Sequence, residues 1–193
     1  MKKIITIGRE YGAGGRTVGK QVAHELGIAF YDRDIILQTA IASHKLDPEQ
    51  VRRWDERVPG SFGFAQSLFN SKPLDEELWE AQKEAIREIA NHENCVIVGR
   101  NSDYILSEFD HCLHVFIHGG FDWRVKRMAE KDQLPTEEVI AEAKRVDRAR
   151  KRYCEYYTGR VYGDSRNYDL TINVEKLGVD RAVQMILDAA QWI

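Results

Sequence analysis

A chain of 193 residues, 43% hydrophobic and 31% charged, is long enough to bury one full core and too short for two ordinary domains. Residues 1–193 therefore read as a single domain. The formal net charge of -3 excludes binding to nucleic acid through overall charge, so any affinity for phosphate must come from basic residues concentrated locally.

Cys95, Cys112 and Cys154 are odd in number and form no CxxC, which speaks against a disulfide framework or a zinc site. No apolar run approaches the roughly 20 residues that span a bilayer. The expectation is a soluble, unprocessed cytoplasmic protein without a membrane partner.

In chain order, Ile4-Ile5-Thr6-Ile7, bounded by Gly8, predicts a buried strand. A glycine-rich turn follows, and Val18, Val22 and Leu26 at i, i+4 and i+8 predict a helix that Gly27 closes. Ile28-Ala29-Phe30-Tyr31 reads as a second strand ended by Asp32-Arg33-Asp34, with a helix resuming at Ile35. Residues 43–74, with Pro48, Pro59, Gly60, Gly63 and Pro73, read as an inserted, mobile helical region. The spacing of Leu78, Trp79, Gln82, Ala85, Ile86 and Ile89 predicts a helix over 75–90.

Apolar runs at 95–98, 114–117 and 170–173 supply three further strands, with helices expected at about 121–132, 136–157 and 179–191. The fold class is α/β, a five-stranded parallel sheet flanked by helices. Ligands of such sheets bind beyond the carboxyl ends of the strands. The first candidates for chemistry are therefore residues 8–17, 32–34, 99–103 and 119–122.

Gly12, Ala13, Gly14, Gly15, Arg16 and Thr17 lie between the first strand and its helix. Glycines there let successive amides converge on an anion, and the helix N-terminus adds partial positive charge. Arg16 is the candidate phosphate contact, and Thr17 the hydroxyl for phosphate or metal. A standard phosphate loop, GxxxxGK[ST], carries a lysine and then a hydroxyl; here Gly15 and Arg16 occupy those positions.

Asp32, Arg100 and Asp103 follow strands two and three. An arginine at a strand's end suits a phosphate, because its fork gives two charge-assisted bonds, and it equally suits an ion pair with Asp32 or Asp103. For Asp32, capping of the next helix stands beside ligand binding. In the insertion, Arg52, Arg53, Trp54 and Arg57 read as a solvated helix with one buried tryptophan, or as a clamp.

Residues 144–152 carry six basic side chains and one acidic, Asp147. On a helix Arg145, Arg148 and Arg152 share a face, and such a face can surround a migrating phosphoryl group with positive charge. Arginine near Tyr153, Tyr156 and Tyr157 could also stack bases, but the acidic balance favours no nucleic-acid partner. Arg124 and Arg127 read equally as surface-solvated arginines or as candidates, one or both, to approach a donor nucleotide. The six histidines show no ligand spacing and read as structural or solvated.

Three segments taken together, Ile5 through Arg16, Tyr31-Asp32-Arg33-Asp34 and Cys95 through Arg100, resemble the cytidylate kinase-like family, a divergent branch of the nucleoside monophosphate kinases. The arginine helix and Tyr168-Asp169-Leu170 extend the resemblance over nearly the whole chain. It implies a P-loop kinase core, a helical acceptor-binding insertion at about 35–90 and an arginine-bearing lid at about 136–166. It also implies transfer of the terminal phosphoryl of ATP, with Mg²⁺, to a nucleoside monophosphate such as CMP. Asp32 and Arg100 would hold the acceptor, and Arg148, Arg150 and Arg152 would neutralise charge in the lid. This chain departs from cytidylate kinases at Gly15, where they carry lysine, at Arg16, where they carry serine, and at Ala149, where many carry aspartate. Gly15 keeps a second reading open, a nucleotide- or phosphate-sensing protein that retained the fold.

Overall fold

The computed structural model describes residues 2–35 and 62–193. In chain order the main elements are β1 (Ile4–Arg9), α1 (Gly15–Leu26), β2 (Ala29–Tyr31), α2 (Phe62–His92), β3 (Cys95–Val98) and α3 (Ser102–Ile105). They continue with β4 (Cys112–His118), α4 (Phe121–Asp132), α5 (Thr136–Thr158), a 3₁₀ turn (Ser165–Asn167), β5 (Leu170–Asn173) and α6 (Val174–Ala189). The strands form one sheet ordered β2-β3-β1-β4-β5, with every neighbouring pair parallel.

The register sets Ile4 to Ile7 of β1 beside Cys95 to Val98 on one side and Cys112 to Val115 on the other. Paired on both edges and covered on both faces, β1 needs apolar side chains throughout. Its alternation assigns them: Ile5 and Ile7 join Val18, Val22, Val98, Ile117 and Ile186 beneath α1 and α6. Ile4 joins Trp79, Ile86, Ile97 and Leu106 beneath α2 and α3. The one polar member, Thr6, is fully buried, and its hydroxyl bonds to His114 Nδ1 at 2.8 Å. That bond removes the cost of an orphaned buried hydroxyl.

All five strands point the same way, so Arg9, Asp32, Gly99 and Gly119 emerge along one end of the sheet. Helix α1 starts at Gly15 and ends at Gly27, whose φ of 63° supplies the left-handed turn. Three expectations need amendment. Helix α2 begins at Phe62 rather than near Asp75 and runs through Pro73, because proline removes one helical bond without forbidding the rest. Helix α6 begins at Val174, capped by the Asn173 side chain, breaks at Gly178 (φ 78°, ψ 165°) and continues to Ala189, against the expected 179–191. Helix α3 was not anticipated; four residues give too short a period to read. Arg52, Arg53, Trp54 and Arg57 lie outside the described residues, as does the whole of 36–61.

The three cysteines are buried and free, and none of the described helices is long and apolar enough to cross a membrane. Helix α1 packs closely against the sheet at Gly19. A methyl there would stand 2.9 Å from Val98 Cγ2 and 3.2 Å from Ile7 and Phe30 carbons. Gly19→Ala should therefore lower stability, its overpacking cost of about 1–3 kcal/mol outweighing a helix-propensity gain of about 1 kcal/mol. A urea unfolding midpoint at or above that of the unaltered protein would refute this.

Candidate functional site

Beyond β1 the chain turns through Gly12 (φ 74°) and Gly14 (φ 91°) into α1. Ala13 N–H closes the turn on Glu10 O at 3.3 Å, and the first helical bond runs from Val18 N–H to Gly14 O at 3.0 Å. The amides of Gly14, Gly15, Arg16 and Thr17 accordingly have no backbone acceptor among the described residues, as the first turn of a helix requires. They form a concave donor set at the carboxyl end of the central strand, where the helix dipole adds to their pull on an anion.

The turn is held from outside. Arg124 of α4, only 4% exposed, donates to Gly119 O at 2.9 Å, to Tyr11 O at 2.6 Å and to Asp147 Oδ2 at 2.8 Å. It also lies 3.2 Å from Glu10 Oε2. Asp147 of α5 in turn accepts the Tyr11 amide at 2.7 Å. Arg127 donates to Gly12 O at 3.0 Å, and its Nη2 lies 3.3 Å from where a Gly14 side chain would begin. Of the two α4 arginines considered near a donor nucleotide, Arg124 is a buried structural tie and Arg127 lies over the turn.

Gly15 has a neighbour that explains it. A Cβ there would fall 2.6 Å from Arg9 Cβ and 2.9 Å from Arg9 Cγ, so the Arg9 stem crosses the space that a loop lysine would fill. The Arg9 guanidinium packs against Gly99, in the space of the side chain that glycine lacks. The Arg9 main chain is clamped: its carbonyl accepts from Arg150 Nη1 at 3.0 Å and from Tyr162 Oη at 2.6 Å. Burial, then the Arg150 charge, bring the Arg9 pKa down to about 9.

On the acceptor side, Asp32 is 7% exposed and takes the capping role considered for it, together with an ion pair to Arg16. Its Oδ2 takes the Arg16 fork at 2.6 and 2.9 Å, and its Oδ1 accepts the Asp34 amide at 3.2 Å. Burial raises its pKa, but the Arg16 hydrogen bond and the amides win and hold it below the usual value. Arg16, expected on phosphate, is thus turned toward Asp32. Residues 99, 100 and 101 all lie in the left-handed region (φ 85°, 61° and 51°), a costly conformation for arginine and asparagine of the kind that clusters at functional sites. This turn aims Arg100 at Tyr153, whose ring lies 5.9 Å from its guanidinium carbon. Gln82 Nε2 holds the Tyr153 hydroxyl at 2.9 Å. Burial lowers the Arg100 pKa and pushes Asp103 up to about 6, with local amides and Arg160 opposing it.

The face of α5 that meets the turn carries Ala143, Asp147, Arg150 and Cys154, with Ala143 and Cys154 buried. Arg145 instead pairs with Glu142 at 2.7 Å on an exposed surface. No hydrogen bond or ion pair among the described residues joins Arg148 or Arg152 to the turn. Arg150 alone of the expected lid arginines reaches it. Sequence reasoning gave no role to Asp147 or Tyr162 and included Arg9 only within the 8–17 stretch; the signal for Arg9 was its place directly at the end of β1.

Thr17 is exposed on the first turn of α1. The nearby carboxylates are engaged, Asp32 by Arg16, and Asp147 and Glu10 by Arg124. Among the described residues no cluster of three or more His, Cys, Asp or Glu forms a metal cage. A Mg²⁺ ion brought in on phosphate oxygens needs only one or two protein ligands and keeps several waters. The Thr17 hydroxyl fits that requirement.

Asp103 gives a pH-dependent test. Its folded pKa of about 6 lies above the unfolded value of about 3.9. Its contribution is therefore fully present below pH 4 and declines as pH rises through 6. Asp103→Asn should raise Tm at pH 7 by the equivalent of at most about 3 kcal/mol, and the advantage should vanish near pH 4. An equal Tm offset at both pH values would contradict this.

Comparison with known proteins agrees with this geometry. The cytidylate kinase-like family profile matches residues 4–176. A cytidylate kinase of Desulfurococcus amylolyticus is 26% identical over 187 residues, 96% of this chain and 91% of that protein. The crystal structure of an uncharacterized protein from Eubacterium ventriosum superposes with a TM-score of 0.77 at 29% identity, covering 98% of this chain and 99% of that one. Shikimate kinase from Bacteroides thetaiotaomicron shares the fold at a TM-score of 0.54 and 16% identity, each chain covered to 98%. The five-stranded parallel sheet is of the P-loop kinase type, and the chain belongs to the cytidylate kinase-like family.

Proposed function

We propose that the protein transfers the terminal phosphoryl group of ATP to a small phosphate-bearing acceptor, with a nucleoside monophosphate such as CMP as the candidate. The observation that carries this reading is the convergence on one turn of unbonded amides from residues 14–17 with Arg127 of α4 and Arg150 of α5. Phosphoryl transfer asks little covalent work of the protein; it asks for positioning and positive charge.

In this reading the amides of Gly14, Gly15, Arg16 and Thr17 hold the donor phosphates, and Gly12 and Ala13 shape the turn. Thr17 would hold the Mg²⁺, which would supply screening of the phosphate charge. Arg100 meets the acceptor phosphate, and Asp32, fixed by Arg16, orients the acceptor. Asp103 lines the same end of the sheet. The bond from the transferred phosphorus to the bridging oxygen of ADP breaks, and a bond to an acceptor phosphate oxygen forms. With the acceptor a dianion, no proton need move. Helix α5 serves as part of a lid, carrying Arg150 to the turn, with Arg148 and Arg152 closing on bound substrate. The cytoplasm is the compartment that fits such chemistry.

A coupled ADP-release assay with Mg²⁺, run across nucleoside monophosphates and small alcohols, should give turnover with at least one monophosphate and none after chelation of the metal. Arg150→Ala should lower kcat by about 10²–10³-fold. Folded protein that turns over no acceptor would refute the reading. The missing loop lysine at Gly15 supports a second reading, a nucleotide sensor. A sensor binds ATP and a non-hydrolysable analogue by calorimetry and turns over neither.

A further inference from the structure

We propose that Arg9 supplies the phosphate-binding cation that the glycine-rich turn lacks, entering from the end of β1 across Gly15 rather than from the first turn of α1. This deepens the proposed function and rests on it for the catalytic half of the test.

Four observations converge. The Arg9 stem fills the space above Gly15, at 2.6 and 2.9 Å from the position of a side chain there, so a lysine at 15 and the present Arg9 exclude one another. The guanidinium then passes into the gap at Gly99, between the donor turn and the acceptor residues. It is close enough to Arg150, Arg100 and Asp32 for their charges to act on it. Its base is held, since Arg9 pairs with Ile117 of β4 and its carbonyl takes two donors.

The guanidinium itself makes no hydrogen bond among the described residues, although the same chain gives Arg16, Arg124, Arg127 and Arg150 explicit acceptors. Burial and the Arg150 charge disfavour its cationic form. An incoming anion relieves both effects. An arginine here offers a planar fork, suited to two oxygens of one phosphate.

The test uses Arg9→Met, which keeps the stem and removes the charge, with thermal melts to verify folding. Calorimetry compares ATP with AMP, which lacks the outer phosphates. Arg9→Met should weaken ATP binding by about tenfold or more, a loss of about 1.4 kcal/mol, while AMP affinity stays within about twofold of the unaltered protein. Turnover should fall by about 10²–10³-fold. The double variant Arg9→Gly with Gly15→Lys moves the cation back to the helix and removes the Cβ that stands 2.6 Å from a side chain at position 15. It should recover at least about tenfold over Arg9→Gly alone in ATP affinity.

Unchanged ATP affinity in Arg9→Met, or equal losses for ATP and AMP, would overturn the proposal, as would a double variant no better than Arg9→Gly. If the unaltered protein binds ATP but phosphorylates nothing, the kinase reading fails, and the contrast between ATP and AMP still decides the role of Arg9. If it binds no ATP, both fail together.

Discussion

The buried guanidinium of Arg124 is the tie on which the site depends. It joins the end of β4 through Gly119 O, the glycine-rich turn through Tyr11 O, and α5 through Asp147. Asp147 closes the ring by accepting the Tyr11 amide. A buried arginine is costly unless its donors are met, and here acceptors lie on several of its sides. Removing one partner would leave a buried charge unbalanced, a loss of about 3–5 kcal/mol for pairs of this kind. The position of α5 is therefore coupled to the shape of the turn, and so is the position of Arg150.

The charge balance at the carboxyl end of the sheet follows from that tie. Asp147, Glu10 and Asp32 are committed to Arg124 and Arg16. The remaining cations facing the turn, Arg9, Arg127 and Arg150, contact carbonyl oxygens or glycine surfaces rather than carboxylates at close range; Arg150 stands 4.0 Å from Asp147. Carbonyl dipoles offset a guanidinium only in part. The ensemble holds a surplus of positive charge in a partly buried place, which is what an anion-binding site needs before its ligand arrives. Left-handed backbone at Arg100 and Asn101 adds a local cost that a connecting turn alone would not require.

Much of the fold was legible because the sheet is parallel and central: runs such as Ile4 to Ile7 and Cys95 to Val98 must be apolar on both faces. Helix α1 was legible from Val18, Val22 and Leu26 and from Gly27 at its end. The turn 12–17 was legible from its glycines and its place. What stayed hidden was long-range. Nothing in the spacing of Arg145, Arg148 and Arg152 says which side of α5 faces the turn. Packing of Ala143 and Cys154 decides that, and it brings Asp147 and Arg150 inward. The lone acidic residue in a basic run was itself a clue, since Asp147 is useful there only if a specific donor meets it. Arg16 was misplaced for a related reason: its helix position is clear from the sequence, but its partner Asp32 is found only once β2 is placed beside β3.

The two departures from the cytidylate kinases at positions 15 and 16 have one geometric origin on the Arg9 reading. Once a cation enters from the strand, position 15 must lose its side chain, because the stem of Arg9 crosses it. The first turn of α1 then no longer has to send charge inward. Position 16 is released to reach sideways, and Arg16 does so, binding Asp32 on the acceptor side with both Nε and Nη2. Lysine and arginine also differ in what they can do from these places. A lysine is a mobile point charge on a helix end, whereas an arginine fixed at the end of a doubly paired strand presents a planar fork in a set direction. The exchange therefore substitutes directional grip for reach. It also ties the donor turn to the acceptor aspartate through α1, so a displacement of either is felt by the other.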